Sequence, residues 1–515
     1  MFTQINSGGI RAVEGFVVSV EGGGPDASEG LPGFSISGQL ALAVREAQDR
    51  VRTALRNSGF RLPAKKITVN LSPAGVRKGG TAYDLPIAVA ILGAYGLVNT
   101  ECLKSSMVIG ELGLDGSVKH VSGVLALVTA AREQGLVRCF LPQMNVREGR
   151  VIEGVEIVGV ESLGHMARLL DHPSDIAGIS SMDEKVWKEE QGGSLDFREI
   201  SGQRVLRRAA EVAAAGLHGI LLNGSAGTGK TMVASRIPTI LPALTREEDI
   251  EISKTYSICG LLPPDRPLLS KRPFRSPHHT ITPQGLSGGG IPARPGELSL
   301  ASGGVLFLDE LPHFSRAAIE ILRQPLEERQ VVVTRVSGSF VFPADFMLVA
   351  AMNPCPCGFY PDRSRCNCSE AEIQRYLSRI SRPILERFDI CVEAVPVTFE
   401  ELKGRSLENE DSASIRQRVE AARKIQAHRF QGTGIRFNSR MGTKEIIKFC
   451  VLKPQEEAFV KKVYETRGLS ARRYHKTLKV ARTIADLAGS ARIEKEHLAE
   501  AFGYSHLEEK LWGRG

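Results

Sequence analysis

No stretch of this chain approaches the roughly 18 consecutive apolar residues that a membrane-crossing helix needs. The N-terminus, MFTQINSGGIRAVEG, has neither a basic leader nor an apolar core, so it does not read as a secretory signal. Both absences predict a cytoplasmic location with no membrane partner. There is no internal repeat. What remains is ordinary for a globular protein: 42% hydrophobic and 24% charged residues over 515 positions. At roughly 150 residues per domain that length suits about three domains.

Charge is placed unevenly. Residues 401–515 hold 24 Lys and Arg against 15 Asp and Glu, a net +9, while the rest of the chain sits near neutral at −1. A basic end block suits an anionic partner such as nucleic acid. A solvated helical surface accounts for it equally well.

Hydrophobic periodicity divides the chain into blocks. In residues 1–171, helical patterns at 51–63, 85–97 and 124–133 alternate with strand patterns at 66–71, 107–112 and 139–141, which predicts an α/β sandwich. Residues 172–198 are polar and acidic with scattered Gly, Ser and Pro, and read as a linker. A core block spans 199–396. A basic block, 397–515, carries amphipathic helical periodicity at 414–429, 443–449 and 471–488.

The core block carries the chemistry. Gly224, Ser225, Ala226, Gly227, Thr228, Gly229, Lys230 and Thr231 read GSAGTGKT, after the apolar strand 219–223 and before a helix, 230–237, that Pro238 disturbs. Strand, loop and helix in that order are what a phosphate cradle requires. Its glycines turn backbone N–H groups inward at a helix N-terminus, where the dipole already favours anions. Lys230 is placed to reach the β- and γ-phosphates and Thr231 to offer a hydroxyl to Mg²⁺. Downstream, VLFLDE (305–310) reads as a buried strand that delivers Asp309 and Glu310 at its end. Asp309 can hold the magnesium through water and Glu310 can polarise an attacking water. A chance glycine-rich turn beside an ordinary strand would have to mimic both halves in the right order. The pair therefore predicts binding and hydrolysis of ATP with Mg²⁺.

Four of the nine cysteines, Cys355, Cys357, Cys366 and Cys368, fall within fourteen positions as CPCG-x₇-CNC. Four thiolates satisfy tetrahedral Zn²⁺, but the one-residue spacings depart from the usual knuckle, so structural zinc and free thiols both stay open. His278 and His279 form a poor metal pair, because neighbouring side chains in extended backbone point apart. Residues 329–346, RQVVVTRVSGSFVFPADF, alternate around a Ser-Gly turn and predict a β-hairpin.

The segment RSPHHTITPQGLSGGGIPARPGELSLASGGVLFLDEL (275–311) resembles the Mg-chelatase-like AAA+ ATPases, most closely their ComM/YifB branch. PGFSISG (32–38), RNSGFRLPAKKITVNLSPAG (56–75) and YDLPIAVAIL (83–92) extend the resemblance over nearly the whole chain. It implies a P-loop AAA+ core, a helical lid in the basic block and a ring, a hexamer by likeness to related motors. It further implies that Gln203 lies near the adenine, that Asn353 is the polar sensor beside the acids, and that Arg472 is a second sensor on the lid. Arg387 would be the finger given to a neighbouring subunit's ATP. Related motors place the 329–346 hairpin at the ring's pore, where Arg329 and Arg335 would track phosphates. The 274–294 insertion would add Arg275, His278, His279 and Arg294 as pore contacts.

The first block also resembles the Lon protease fold, related to ribosomal protein S5 domain 2. Lon's serine motif falls on 77–84 and puts Ala82 at the nucleophile; its lysine motif falls on 116–125 and puts Leu125 at the base. Neither residue can do that chemistry, so no peptidase activity is expected unless Lys119 and Ser122 substitute. Arg56, Arg61, Lys65, Lys66, Arg77 and Lys78 suggest a fold retained for binding, DNA included. The resemblance implies a DNA-stimulated ring ATPase that drives branch migration in recombination and natural transformation. Two other classes stand beside it: the ATPase subunit of a metal-insertion complex, and a protein-remodelling chaperone.

Overall fold

The structure is a computed structural model and describes residues 2–23, 34–62, 65–176, 195–263, 265–336, 338–399, 401 and 409–512. The first block is an α/β unit around a seven-stranded sheet. The strand order is Phe34–Ser37, Ile67–Ser72, Glu14–Gly23, Phe2–Arg11, Ser106–Val108, Arg138–Pro142 and Glu156–Val160. Helix Asp84–Ala94 is buried at every residue, as a helix apolar on all sides must be. The helix expected at 51–63 runs instead over Ala47–Asn57, because Gly59 takes a left-handed turn (φ 86°) that ends it. The strand expected at 107–112 breaks into Ser106–Val108 and Glu111–Leu112. Gly110 lies between the pieces, and its backbone groups go to Ala82 and Leu85 instead of a neighbouring strand.

The core block is built on five parallel strands in the order Phe274–Arg275, Val305–Leu308, Met347–Met352, Ile220–Asn223 and Ile390–Glu393. Three of the inner runs, ILLN, VLFL and MLVAAM, are buried at every residue, which explains why they read as unbroken apolar stretches. The strand Met347–Met352 lies between the one entering GSAGTGKT and the one entering Asp309. Whatever follows it therefore emerges between the loop and the acids. In parallel sheets that carboxyl edge is where ligands bind.

Helix Lys230–Ile240 continues through Pro238, two residues beyond it. A proline inside a helix costs about 3 kcal/mol. Ile237 and Ile240 are both fully buried, at about 1.5–3 kcal/mol each, so packing carries the helix past the break.

The basic block folds as the helices Ser412–Arg429, Thr443–Phe449, Pro454–Arg467, Ala471–Leu487, Lys495–Gly503 and His506–Trp512. The first and fourth share one apolar core with the strand Ile220–Asn223 and helix Arg204–Gly216. The last turns back to the sheet, burying Leu507 and Leu511 and donating the Trp512 indole N–H to Leu377 O. Of the stretch read as a linker, residues 177–194 lie outside the described residues. Its far end is packed: Phe197 is fully buried and its N–H donates to Ser412 Oγ, while Asp196 accepts from the Ser412 N–H.

The first block docks on helix Arg246–Ile258. Gly123 N–H donates to Ser257 O, the Ser257 hydroxyl donates to Glu148, and Arg246 donates to Val151 O at 2.9 Å. Ile250, Leu262 and Leu268 pack into the apolar cluster formed around helix Val124–Glu133. No described helix is long and apolar enough to cross a membrane.

Candidate nucleotide site and its distant arginines

At the carboxyl edge the separated sequence motifs converge. Gly227 and Gly229 take positive φ (78° and 82°), and a Cβ on either would meet nothing within 4 Å, so the loop faces open space. Gly224 is different: a Cβ there would lie 2.7 Å from Ala394 O, so close packing against the neighbouring strand demands glycine. Lys230 is nearly buried, with Nζ on the carbonyls of Gly224 (2.6 Å) and Ser225 (2.8 Å) and on Asn353 Oδ1 (3.3 Å). Burial lowers its pKa, opposed by the nearby Asp309 and Glu310 carboxylates. Thr231 Oγ1 donates to Asp309 Oδ2 at 2.9 Å, which brings a hydroxyl and a carboxylate to one point. That donor set, hard oxygens beside a cationic Nζ and a ring of open backbone, fits a Mg²⁺–nucleoside triphosphate.

Gln203 has left-handed backbone (φ 50°) and donates its amide to Thr228 O at 2.9 Å and Val395 O at 2.5 Å. It braces the phosphate loop from behind, and its Oε1 is buried without a donor.

Sequence reasoning missed how Glu310 is held. Its backbone is left-handed (φ 53°), and its Oε2 lies 3.2 Å from His313 Nδ1 and 3.8 Å from His279 Nδ1. His279 thus reaches Glu310. His313 carries no motif; only its place three residues after Glu310 could have flagged it. Arg275 is also no free contact: it is bidentate to Glu297 at 2.6 and 2.7 Å. His278 bonds Thr280, and Arg294 is exposed.

Arg387 and Arg472 are not at this edge. Strands Ile220–Asn223 and Ile390–Glu393 pair in parallel, Ile220 opposite Ile390 and Asn223 opposite Glu393. The phosphate loop leaves their carboxyl ends, whereas Arg387 precedes the amino end, where its carbonyl would lie 2.5 Å from a Cβ on Gly219. Four residues of strand separate the two edges by roughly 13 Å. At the amino edge Arg387 pairs with Glu327 and Arg472 with Glu386. Both line a cleft of about 330 Å³ that also takes in Arg440, Lys476 and Lys479. Burial lowers the Arg387 pKa, and the charges of Arg472 and Arg323 push the same way. Its Nε is buried without an acceptor. Glu386 and Asp389 line it too, so its cations outnumber its carboxylates, an excess that suits an anion arriving from outside the chain.

The expected hairpin forms from Gln330–Arg335 and Gly338–Pro343. Arg335 is exposed near its tip, and a Cβ on Gly289 of the insertion would lie 2.9 Å from its guanidinium. Arg329 sits at the base, capping helix Arg323–Glu328. In the first block Arg56, Arg61, Lys65, Lys66 and Arg77 are exposed, but Lys78 is fully buried with Nζ on Pro73 O, so it offers nothing to a partner. Ala82 packs with the fully buried Leu125 in one apolar cluster. Among the described residues no hydrogen bond joins Lys119 to Ser122.

Four cysteines gather directly behind Asn353. Their sulfurs all lie within 4.8 Å of one another, with Cys355 at 3.3 Å from Cys357 and 3.8 Å from Cys366, and Cys357 at 3.5 Å from Cys366.

A parallel five-stranded sheet with a phosphate loop, paired acids and an interposed polar residue at one edge defines a P-loop core of the AAA+ class. Comparison with known proteins narrows the class. Residues 196–402 match the family described as magnesium chelatase, subunit ChlI; residues 25–145 match subunit ChlI of Mg-chelatase, and residues 409–505 its C-terminal family. The chain is 39% identical to competence protein ComM of Haemophilus influenzae over 480 residues, 93% of this chain and 92% of that protein. It is 38% identical to the uncharacterized protein YifB of Salmonella typhimurium over 484 residues, 94% of each. A shorter similarity, 24% over 164 residues, links it to Lon protease 2 of Bacillus subtilis, covering 30% of this chain and 29% of that protein. The chain belongs to the ComM/YifB family of magnesium-chelatase-type AAA+ ATPases.

Proposed function

We propose that this chain is one protomer of a ring, a hexamer by family likeness, that hydrolyses ATP between neighbouring subunits and uses the energy to move along DNA. The observation that carries the reading is the separation of the loop Gly224–Thr231 from Arg387 and Arg472 by the length of the sheet. A protomer offers a phosphate cradle at one edge and cations at the other, so a complete site needs two copies. Thr231 and Asp309 would hold Mg²⁺, which supplies charge neutralisation at the phosphates. Lys230 binds the phosphates, Asn353 and Glu310 set the attacking water, and Arg387 and Arg472 arrive from the next subunit. The orphaned Oε1 of Gln203 is an acceptor for an adenine amine.

DNA as the track is supported by the basic end block, by Arg335 at the hairpin tip beside the insertion, and by the name of the relative ComM. That name, a competence protein, supports transformation as the setting, and branch migration of recombination intermediates is the task proposed within it. ATP turnover should rise severalfold with single-stranded or forked DNA, and that stimulation should fade as salt increases, because counterion release drives phosphate contacts. Indifference to DNA would instead favour a metal-insertion subunit, and stimulation by a protein client a remodelling chaperone.

The contacts of Glu310 with His279 and His313 add a second expectation. His279 follows the strand Phe274–Arg275 at the root of the insertion, so movement there is transmitted to the acid that orients water. His279→Ala should raise basal turnover and shrink the fold-stimulation by DNA. Equal basal and stimulated rates in wild type and variant would remove this coupling.

A further inference from the structure

We infer that Cys355, Cys357, Cys366 and Cys368 bind one zinc ion that clamps the Asn353 end of the central strand against the phosphate loop. A tetrahedron with Zn–S bonds of about 2.3 Å has sulfur–sulfur edges of about 3.8 Å. Three of the separations, 3.3, 3.5 and 3.8 Å, approach that figure, and the whole set fits within 4.8 Å. All four are free thiols, and a disulfide would bring two sulfurs to about 2.05 Å. An all-sulfur tetrahedral set selects zinc among the common ions, and thiolates this close surround one ion more readily than an iron–sulfur cluster.

The one-residue spacing works because residues i and i+2 share a face when the chain is extended or turned. Eight residues then return the chain for the second pair. Supporting contacts are in place: Tyr360 N–H points at Cys355 Sγ at 3.4 Å, and Arg363 donates to Cys368 O at 2.8 Å. Such outer contacts orient metal ligands. Cys355 and Cys366 are buried in the core shared by the central strand and helix Glu370–Leu377.

The position of this cluster gives it a role. Cys355 lies two residues after Asn353, and Cys368 immediately precedes Ser369, which caps helix Glu370–Leu377 through a capping box. Between the two pairs, Gly358 turns with φ 83°, and a Cβ there would lie 4.0 Å from both Ala226 N and Asn353 Cγ. One ion would therefore tie strand end, helix start and loop wall together beside the phosphates. The clamp rests on reading Gly224–Thr231 as the nucleotide loop; the metal site does not.

The test begins with elemental analysis of full-length protein purified without added metal, and about one zinc per chain is expected for a closed four-cysteine site. Cobalt(II) exchanged into the wild type should give the intense thiolate absorption of a tetrahedral site. The double variant Cys355→Ser, Cys366→Ser should lose the zinc, and its Kd for ATP should rise about 10-fold or more, the scale on which disturbed metal shells act. Protein that is active, reduced and metal-free overturns the site, as does iron in place of zinc or a cobalt spectrum without thiolate bands. Zinc lost with unchanged ATP affinity overturns the clamp. A wild type that binds zinc and fails to bind ATP leaves the site standing and sinks the nucleotide reading instead.

Discussion

Replacing Arg387 with alanine is expected to lower ATP turnover by about 10³–10⁵-fold, the scale of a guanidinium that neutralises charge in phosphoryl transfer. Nucleotide binding should stay near the wild-type level, because Lys230 and the loop that cradles phosphate lie at the other edge of the sheet. Misfolding should not mimic the loss. The partner of Arg387 is Glu327, an exposed carboxylate, and exposed pairs contribute about 0–1 kcal/mol. Removing a cation whose Nε is buried without an acceptor also relieves a desolvated charge.

Complementation makes the experiment sharper. Mixing Arg387→Ala protein with Lys230→Ala protein, each inactive alone, should restore activity, since about one interface in four would pair an intact loop with an intact finger in randomly mixed closed rings. Full turnover by Arg387→Ala, or no recovery on mixing rings that exchange subunits, would contradict a shared site.

The second large effect separates binding from hydrolysis. Lys230→Ala should abolish nucleotide binding, while Glu310→Gln should bind ATP and hold it unhydrolysed. Lys230 is nearly buried among loop carbonyls, so alanine there leaves acceptors facing the phosphates with no cation. Glutamine keeps the size of Glu310 and one acceptor oxygen but cannot polarise water as a carboxylate does. Retained nucleotide and radiolabelled product formation measure the two steps separately. Normal turnover by either variant would refute the role assigned to that residue.

What could be read from the sequence follows from where each constraint acts. The phosphate loop and its acids were legible because they are backbone requirements written locally: glycines at Gly227 and Gly229 for left-handed turns, and unbroken apolar runs for strands buried on both faces. The hairpin at 330–343 was legible for the same reason, through alternation about a turn. Contacts between distant residues were not. Nothing local shows that Arg275 is committed to Glu297, that Lys78 is buried on Pro73 O, or that His279 meets Glu310. Nor could spacing alone decide whether four cysteines converge; that needed the fold of the eight residues between the pairs. Helix Pro454–Arg467 escaped because its stripe is thin, with only Glu456 and Val460 buried, and helix Lys495–Gly503 because only Leu498 and Phe502 of its buried face are large and apolar.

The docking of the first block on helix Arg246–Ile258 has a mechanical consequence. Backbone and side-chain hydrogen bonds at Ser257, together with the hydrocarbon of Ile250, make that unit a rider fixed to the ATPase core and not a bead on a tether. The same helix leads through residues 259–273 into the strand that opens the insertion. A load taken by the first block would thus pass from that helix along the chain to the strand Phe274–Arg275 that precedes His279. Strain at the periphery and the timing of fuel consumption would share one mechanical axis.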